Sequence, residues 1–285
     1  MRGMVRRRGR YKIATAYQAT PNMARTAKYN RGMAALDPTG RFSSRVDDYV
    51  RYRPSYPAEI VELLARECGL SAKSSVADIG SGTGFLTKLF LDFGCAVMGV
   101  EPNREMREAG ERMLARYERF TSVEGRAEET GLADSSVDLV AAGQAFHWFE
   151  PAATRAEFRR ILRGPRWVAL VWNERLATGD FLAGYEDLML RYAPDYSKID
   201  HRRIDADRIG EFFEHRAWKL ATFPNIQHFD WTGLRGRLDS SSYAPRPGDS
   251  NYKPLIAELR RLFKIHQKNG LVDFQYSTNV YYGTL

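Results

Sequence analysis

Cysteine is scarce in this chain of 285 residues: Cys68 and Cys95 are the only two. Neither stands in a C-x-x-C pattern or at ligand spacing from a histidine. A disulfide framework and a metal site are therefore not expected, and a reducing, cytoplasmic setting is. Long apolar runs are missing as well. No stretch approaches the roughly 20 residues that span a bilayer, so no membrane partner is expected. There is no H-E-x-x-H, no G-x-S-x-G and no phosphate loop ending in G-K-[ST], which removes the common zinc-protease, hydrolase and nucleotide-triphosphatase readings.

Acidic residues are absent from the first 31 positions, which hold nine lysines and arginines. The formal charge of +8 lies in that segment, because the remainder carries 34 basic against 35 acidic residues. A nucleic-acid enzyme is expected to carry phosphate-binding charge on its folded body, so nucleic acid is not the expected partner. Residues 1–41 read as a basic, disordered extension. Three origins stay open for it: an upstream start (Met4, Met23 and Met33 are later ones), a solvated tail, or a transit-type or nucleic-acid-binding arm.

The most informative segment is Ser75-Val-Ala-Asp-Ile-Gly-Ser-Gly-Thr-Gly-Phe-Leu-Thr87. A short apolar run ends in Asp78, and glycine then falls at every second position: Gly80, Gly82 and Gly84. This is the pattern of a buried strand entering a tight turn that opens a helix, with glycine where the backbone turns sharply or a ligand leaves no room for Cβ. A second apolar run, Ala96–Val100, ends in Glu101. That acid follows the glycines by about the interval expected of a carboxylate that receives ribose hydroxyls at the tip of the next strand. The glycines run G-x-G-x-G, with Phe85 where the last glycine of a dinucleotide fingerprint would stand.

In these residues the chain resembles the class I S-adenosylmethionine-dependent methyltransferases, whose first motif is an acid followed by G-x-G-x-G. Ser136–Phe149 resembles that family's fourth strand and active-site edge, and Arg126-Ala127-Glu128 stands where the family contacts adenine. Asp47-Asp48-Tyr49 with Arg51–Pro57 is similar to the opening of a small-molecule subgroup related to trans-aconitate methyltransferases. The resemblance covers about residues 42–285. It implies an α/β fold: a doubly wound, mostly parallel, Rossmann-like seven-stranded sheet with an antiparallel last strand. It also implies S-adenosylmethionine as cofactor and a small-molecule methyl acceptor with a carboxylate or hydroxyl.

Alternating strands and helices support the same architecture. Strands are expected near 75–79, 95–100, 119–124, 137–142 and 167–172, with helices over 57–68, 86–90, 103–117 and 153–162. The alternation breaks over about 176–217, a helical insertion. Segments 219–230 and 271–282 read as strands and 254–267 as a helix, while 232–252, rich in Ser, Gly and Pro, reads as a loop or lid.

The resemblance assigns Asp78, Gly80, Ser81, Gly82 and Gly84 to the methionine end of the cofactor and Glu101 to its ribose. Met106, Ala127 and Glu128 fall at the adenine, and Arg53, Gln144 and Phe146 at the remaining edge. Each has a plainer alternative. Asp78 and Glu101 could be ordinary strand-end acids, Met106 a core side chain, Glu128 a solvated acid, Arg53 an exposed basic turn. Phe146 and Trp148 either wall a sulfonium or pack in the core. His147, the histidine nearest the presumed site, is either a general base for a protonated acceptor or a group held by hydrogen bonds; an ionised carboxylate acceptor needs no base.

Overall fold

The computed structural model describes residues 51–194, 196, 206–214, 216–241 and 243–285, together with the backbone of 12–17. In chain order the strands are β1 (Lys12–Tyr17), β2 (Ser75–Ile79), β3 (Ala96–Val100), β4 (Phe120–Val123), β5 (Val137–Gly143), β6 (Leu162–Arg175), β7 (Trp218–Phe229) and β8 (Val272–Thr284). The helices are α1 (Glu59–Cys68), α2 (Phe85–Phe93), α3 (Arg104–Leu114), α4 (Pro151–Ile161), α5 (Asp180–Tyr192), α6 (Ala206–Phe212), α7 (Trp231–Asp239) and α8 (Tyr252–His266). Among the described residues no helix is long and apolar enough to cross a membrane.

The sheet order is β1-β7-β8-β6-β5-β2-β3-β4. Pairing is parallel from β6 through β5, β2 and β3 to β4. The last strand, β8, lies antiparallel between β6 and β7. The seven strands expected from the resemblance are therefore present. An eighth, β1, adds antiparallel to the free edge of β7 and comes from the basic N-terminal segment. The rest of the expected extension over 1–41 lies outside the described residues, as do Asp47, Asp48 and Tyr49.

β2 is buried on both faces, as a central parallel strand must be. Its alternate residues enter different cores: Val76 packs with Phe90 and Leu139, whereas Ala77 and Ile79 pack with Phe146, Phe158 and Trp172. Helix ends follow local chemistry. α1 stops at Gly69, whose left-handed φ of 74° lets its N–H reach the Leu64 carbonyl. α3 starts at Asn103, whose side chain accepts from the Met106 N–H. α4 starts two residues before the expected boundary, because Glu150 accepts from the N–H groups of Ala152 and Ala153 and Pro151 fits the first helical position.

One expectation is corrected. The stretch 232–252 is not loop throughout: Trp231–Asp239 is helix α7. Asp230 caps it by accepting from the Gly233 N–H at 2.7 Å, and Leu234 and Leu238, one turn apart, enter a third core around Phe274. Its glycines admit close neighbours rather than breaking the helix. A Cβ on Gly236 would lie 2.2 Å from the Tyr52 ring. Changing Gly236 to Ala is therefore expected to lower stability by about 1–3 kcal/mol, the usual cost of overpacking, read as a lower urea midpoint with an unchanged slope.

Candidate functional site

The sheet reverses its winding at β2, with β3 on one side and β5 on the other. A doubly wound sheet opens its ligand crevice at such a point, outside the carboxyl ends of the strands. The crevice here is lined by Tyr56, Asp78, the Gly80–Thr83 turn, Phe85, Leu86 and Gly143, and encloses about 300 Å³ of space open to solvent.

The turn after β2 takes its shape from its glycines. Gly80, Gly82 and Gly84 all have positive φ, at 68°, 55° and 90°. The N–H groups of Gly80 and Ser81 both reach back to the Val100 carbonyl, at 2.8 and 3.1 Å. A Cβ on Gly80 would sit 2.6 Å from the Ala145 Cβ, and one on Gly84 2.7 Å from Leu114, whereas Gly82 meets only Met106, at 3.4 Å. Gly80 and Gly84 thus let the turn pack inward, and Gly82 leaves its outer side open.

Two acids face this turn. Glu101, at the tip of β3, accepts from the Gly82 N–H through Oε2 and from the Asn103 N–H through Oε1, both at 2.9 Å. Burial raises its pKa, against these two hydrogen bonds and the nearby Arg107. Asp78 is 1% exposed. Its Oδ2 accepts from the Thr87 hydroxyl at 2.6 Å, while Oδ1 is buried with no hydrogen-bond partner. Burial first, and the Glu101 charge to a smaller extent, push Asp78 up to about 7 despite Thr87. The Thr83 hydroxyl is likewise buried without a partner. An open-sided glycine turn, orphaned acceptors beneath it and a lining that, among the described residues, holds no basic side chain fit a ligand that brings hydrogen-bond donors and positive charge.

Residues 77–166 match the family model described as "Methyltransferase domain". An uncharacterized methyltransferase of Mycobacterium tuberculosis is 40% identical over 134 residues, 47% of this chain and 52% of that protein. The chain thus spans about half the length of the curated relatives of this kind that it matches. A methyltransferase candidate from Dictyostelium discoideum is 30% identical over 229 residues, 76% of this chain and 84% of that protein. The chain belongs to the methyltransferase family. A solved structure of a type II methyltransferase candidate from Anaeromyxobacter dehalogenans shares the fold of this chain, with a TM-score of 0.59 at 20% identity, covering 82% of this chain and 98% of that one. A second, from an antibiotic biosynthesis pathway of Anabaena variabilis, has a TM-score of 0.55 at 24% identity, covering 82% and 99%.

The methyltransferase fold brings part of the expected constellation together. Asp78, Gly80, Ser81 and Gly82 line the crevice; Gly84, Glu101 and Met106 support it from behind and beside. Other candidates are engaged elsewhere. Glu128 accepts from the Glu150 N–H at 2.8 Å and so holds the start of α4. Neighbouring Ala127 is buried in the core. Phe146 is 1% exposed and stacks edge-on with Phe212 at 5.0 Å and Phe149 at 6.1 Å, a core side chain rather than a cleft wall. Arg53 donates to the Ser240 carbonyl at 3.0 Å. Gln144, at a φ of 57°, clamps the backbone of Asn173 with both ends of its amide. The His147 ring lies 4.4 Å from Trp148 and 5.2 Å from Trp172.

Thr83, Thr87 and Gly143 were not singled out beforehand. Thr87 had a signal, its place one turn into the helix that follows the glycines. Gly143 had none, because its role is to leave room for the Tyr56 hydroxyl, which would lie 2.6 Å from a Cβ there.

The raised pKa of Asp78 fixes the sign of a pH effect. The neutral acid suits the ligand-free fold, so this group stabilises below the ordinary carboxylate range and loses that contribution as pH rises through about 7. Asp78→Asn is expected to stabilise the ligand-free protein at pH 8 by on the order of 1–3 kcal/mol and to flatten its melting temperature between pH 5 and 8, measured by thermal denaturation across that range.

Proposed function

We propose that this chain transfers a methyl group from S-adenosylmethionine to a small-molecule acceptor. The observation that carries the reading is the pairing of an open glycine turn with two buried carboxylates, one of which keeps an oxygen without a partner. Family membership supports methylation as the activity, and the resemblance of residues 51–57 to the trans-aconitate-type subgroup favours a small acceptor.

When bound, the cofactor supplies an electrophilic methyl on a cationic sulfur. The protein's part is binding, orientation and exclusion of water. Asp78 Oδ1 is available to an ammonium donor. Its ionisation is then favoured, because a cation beside a buried carboxylate offsets the burial that holds the group neutral. Both Glu101 oxygens already accept one backbone N–H each, and each retains capacity for a sugar hydroxyl. Gly82 keeps Cβ out of the path. Bound there, the cofactor would supply a methyl group for in-line displacement by an acceptor lone pair, the carbon–sulfur bonding electrons remaining on sulfur. A carboxylate acceptor brings no proton to lose; a hydroxyl must release one, and His147, which follows β5 and packs beside Trp148 and Trp172, is the candidate to take it.

Two outcomes test the reading. Glu101→Ala is expected to weaken S-adenosylmethionine binding by about 1–3 kcal/mol, the range for hydrogen bonds to a charged group, in titration calorimetry; unchanged affinity would remove the ribose role. With labelled S-adenosylmethionine and a panel of organic acids and phenols, turnover is expected for at least one acceptor. For an acid acceptor, His147→Ala should leave the pH dependence of the rate as in the wild type; for a phenol it should abolish the ascending limb.

A further inference from the structure

Beyond the cleft, one buried cluster carries charge that the fold leaves uneven. Arg175, the last residue of β6, and Arg237, on α7, are 9% and 4% exposed. Both guanidinium groups pack on the Phe274 ring, at 5.8 and 5.5 Å from its centre. Arg175 turns Nη2 onto Glu186 and onto the Tyr196 hydroxyl. Its Nη1 is buried and has no hydrogen-bond partner among the described residues. Arg237 donates Nε to the Tyr276 hydroxyl at 3.1 Å and Nη1 to Ser241 Oγ at 2.9 Å. Among the described residues it forms no ion pair.

A third donor stands beside them. The Tyr185 ring lies 4.9 Å under the Arg175 guanidinium, and its buried hydroxyl has no partner among the described residues. Burial pushes the Tyr243 phenol up, yet the combined fields of Arg237, Arg175 and Arg53 bring it below the ordinary tyrosine range. Three cationic groups therefore act on one phenol. A buried cation without a counter-ion is unfavourable, and an orphaned guanidinium nitrogen beside an orphaned phenol offers donors with nothing to receive them.

The chain links the cluster to the cleft. Asn173 lies two residues before Arg175, on the same face of β6. Its side chain donates to the Ser55 carbonyl at 3.3 Å, and the next residue, Tyr56, lines the crevice. Arg53, two residues before Ser55, reaches the end of α7. Residues 53–56 thus run from the end of α7, the helix that carries Arg237, to the crevice wall.

We propose that Arg175, Arg237 and Tyr185 form an oxyanion subsite that anchors a carboxylate or phosphate of the methyl acceptor while another group of the same molecule faces the cleft. This rests on the cleft being the methyl-transfer site. The anchored group is not the one methylated, because hydrogen bonds from a guanidinium hold the negative charge and weaken it as a nucleophile. Arginine forks match carboxylate and phosphate geometry through two N–H groups, and the shared chemistry is the oxyanion.

The test is calorimetry on the full chain with succinate, phenyl phosphate and the uncharged control dimethyl succinate, each with and without S-adenosylhomocysteine. One or both charged probes should bind and the ester should not; the tighter of the two names the source of the oxyanion. Arg175→Lys keeps a cation for Glu186 but removes the free nitrogen, and should weaken that binding about tenfold or more, the loss of a charge-assisted hydrogen bond. Tyr185→Phe removes only an oxygen that has no partner, so it should fold normally and still weaken the anion several-fold. S-adenosylhomocysteine affinity should be unchanged in both. Failure of both charged probes to bind the wild type, equal binding of the ester, or anion affinity untouched by Tyr185→Phe would overturn the subsite. A chain that binds the anion but not S-adenosylhomocysteine would instead sink the methyl-transfer reading.

Discussion

The Glu101 carboxylate is the joint on which the site depends. One oxygen takes the N–H of Gly82 from the turn after β2, and the other takes the N–H of Asn103 at the start of α3. A single buried side chain thereby ties the outer edge of the glycine turn to the neighbouring strand tip. Asn103, so held, caps α3, and α3 brings Met106 and Leu114 against the back of the same turn. The turn cannot relax without releasing the acid, and the acid is buried only because the turn closes over it.

That arrangement has an electrostatic consequence. Two carboxylates at the strand tips are held where burial disfavours their charge, and one of their oxygens lacks a donor. A ligand that brings hydrogen-bond donors and positive charge would relieve both conditions. Further along the sheet, past β6, the sign reverses: arginines outnumber carboxylates around Phe274 and Tyr243. On the reading proposed above, a crevice suited to positive charge and a buried cluster of unbalanced positive charge would serve a cationic methyl donor and an acceptor with an anionic handle. The segment 53–56 is the bridge between the two, touching α7 at Arg53 and the crevice at Tyr56.

Much of this was legible beforehand where a residue's role is local. Asp78, the three glycines and Glu101 could be read from their order because backbone geometry and strand ends leave direct marks on sequence. The same holds for Pro151 and Gly69 at helix ends. Residues whose role depends on distant partners were not legible. That the Glu128 carboxylate accepts from the Glu150 N–H, and that Phe146, open between cleft wall and core, stacks on Phe212, 66 positions later, depends on partners far along the chain. The segment 232–252 looked like a loop because glycine and serine discourage helix in isolation. Tertiary packing of Leu234 and Leu238 decided otherwise.

What the sequence determined by itself was the order of strands and helices, the turn that follows β2 and the acids that flank it. Alternation, caps and glycine spacing act over a few residues, and the chain carries them wherever it goes. What only the tertiary structure decided was which acids are buried, which oxygen is left without a donor, and that Arg175, Tyr185 and Arg237 meet around one phenylalanine. Burial and charge balance are properties of surroundings assembled from β6, α5, α7 and β8, and no single stretch of the chain contains them.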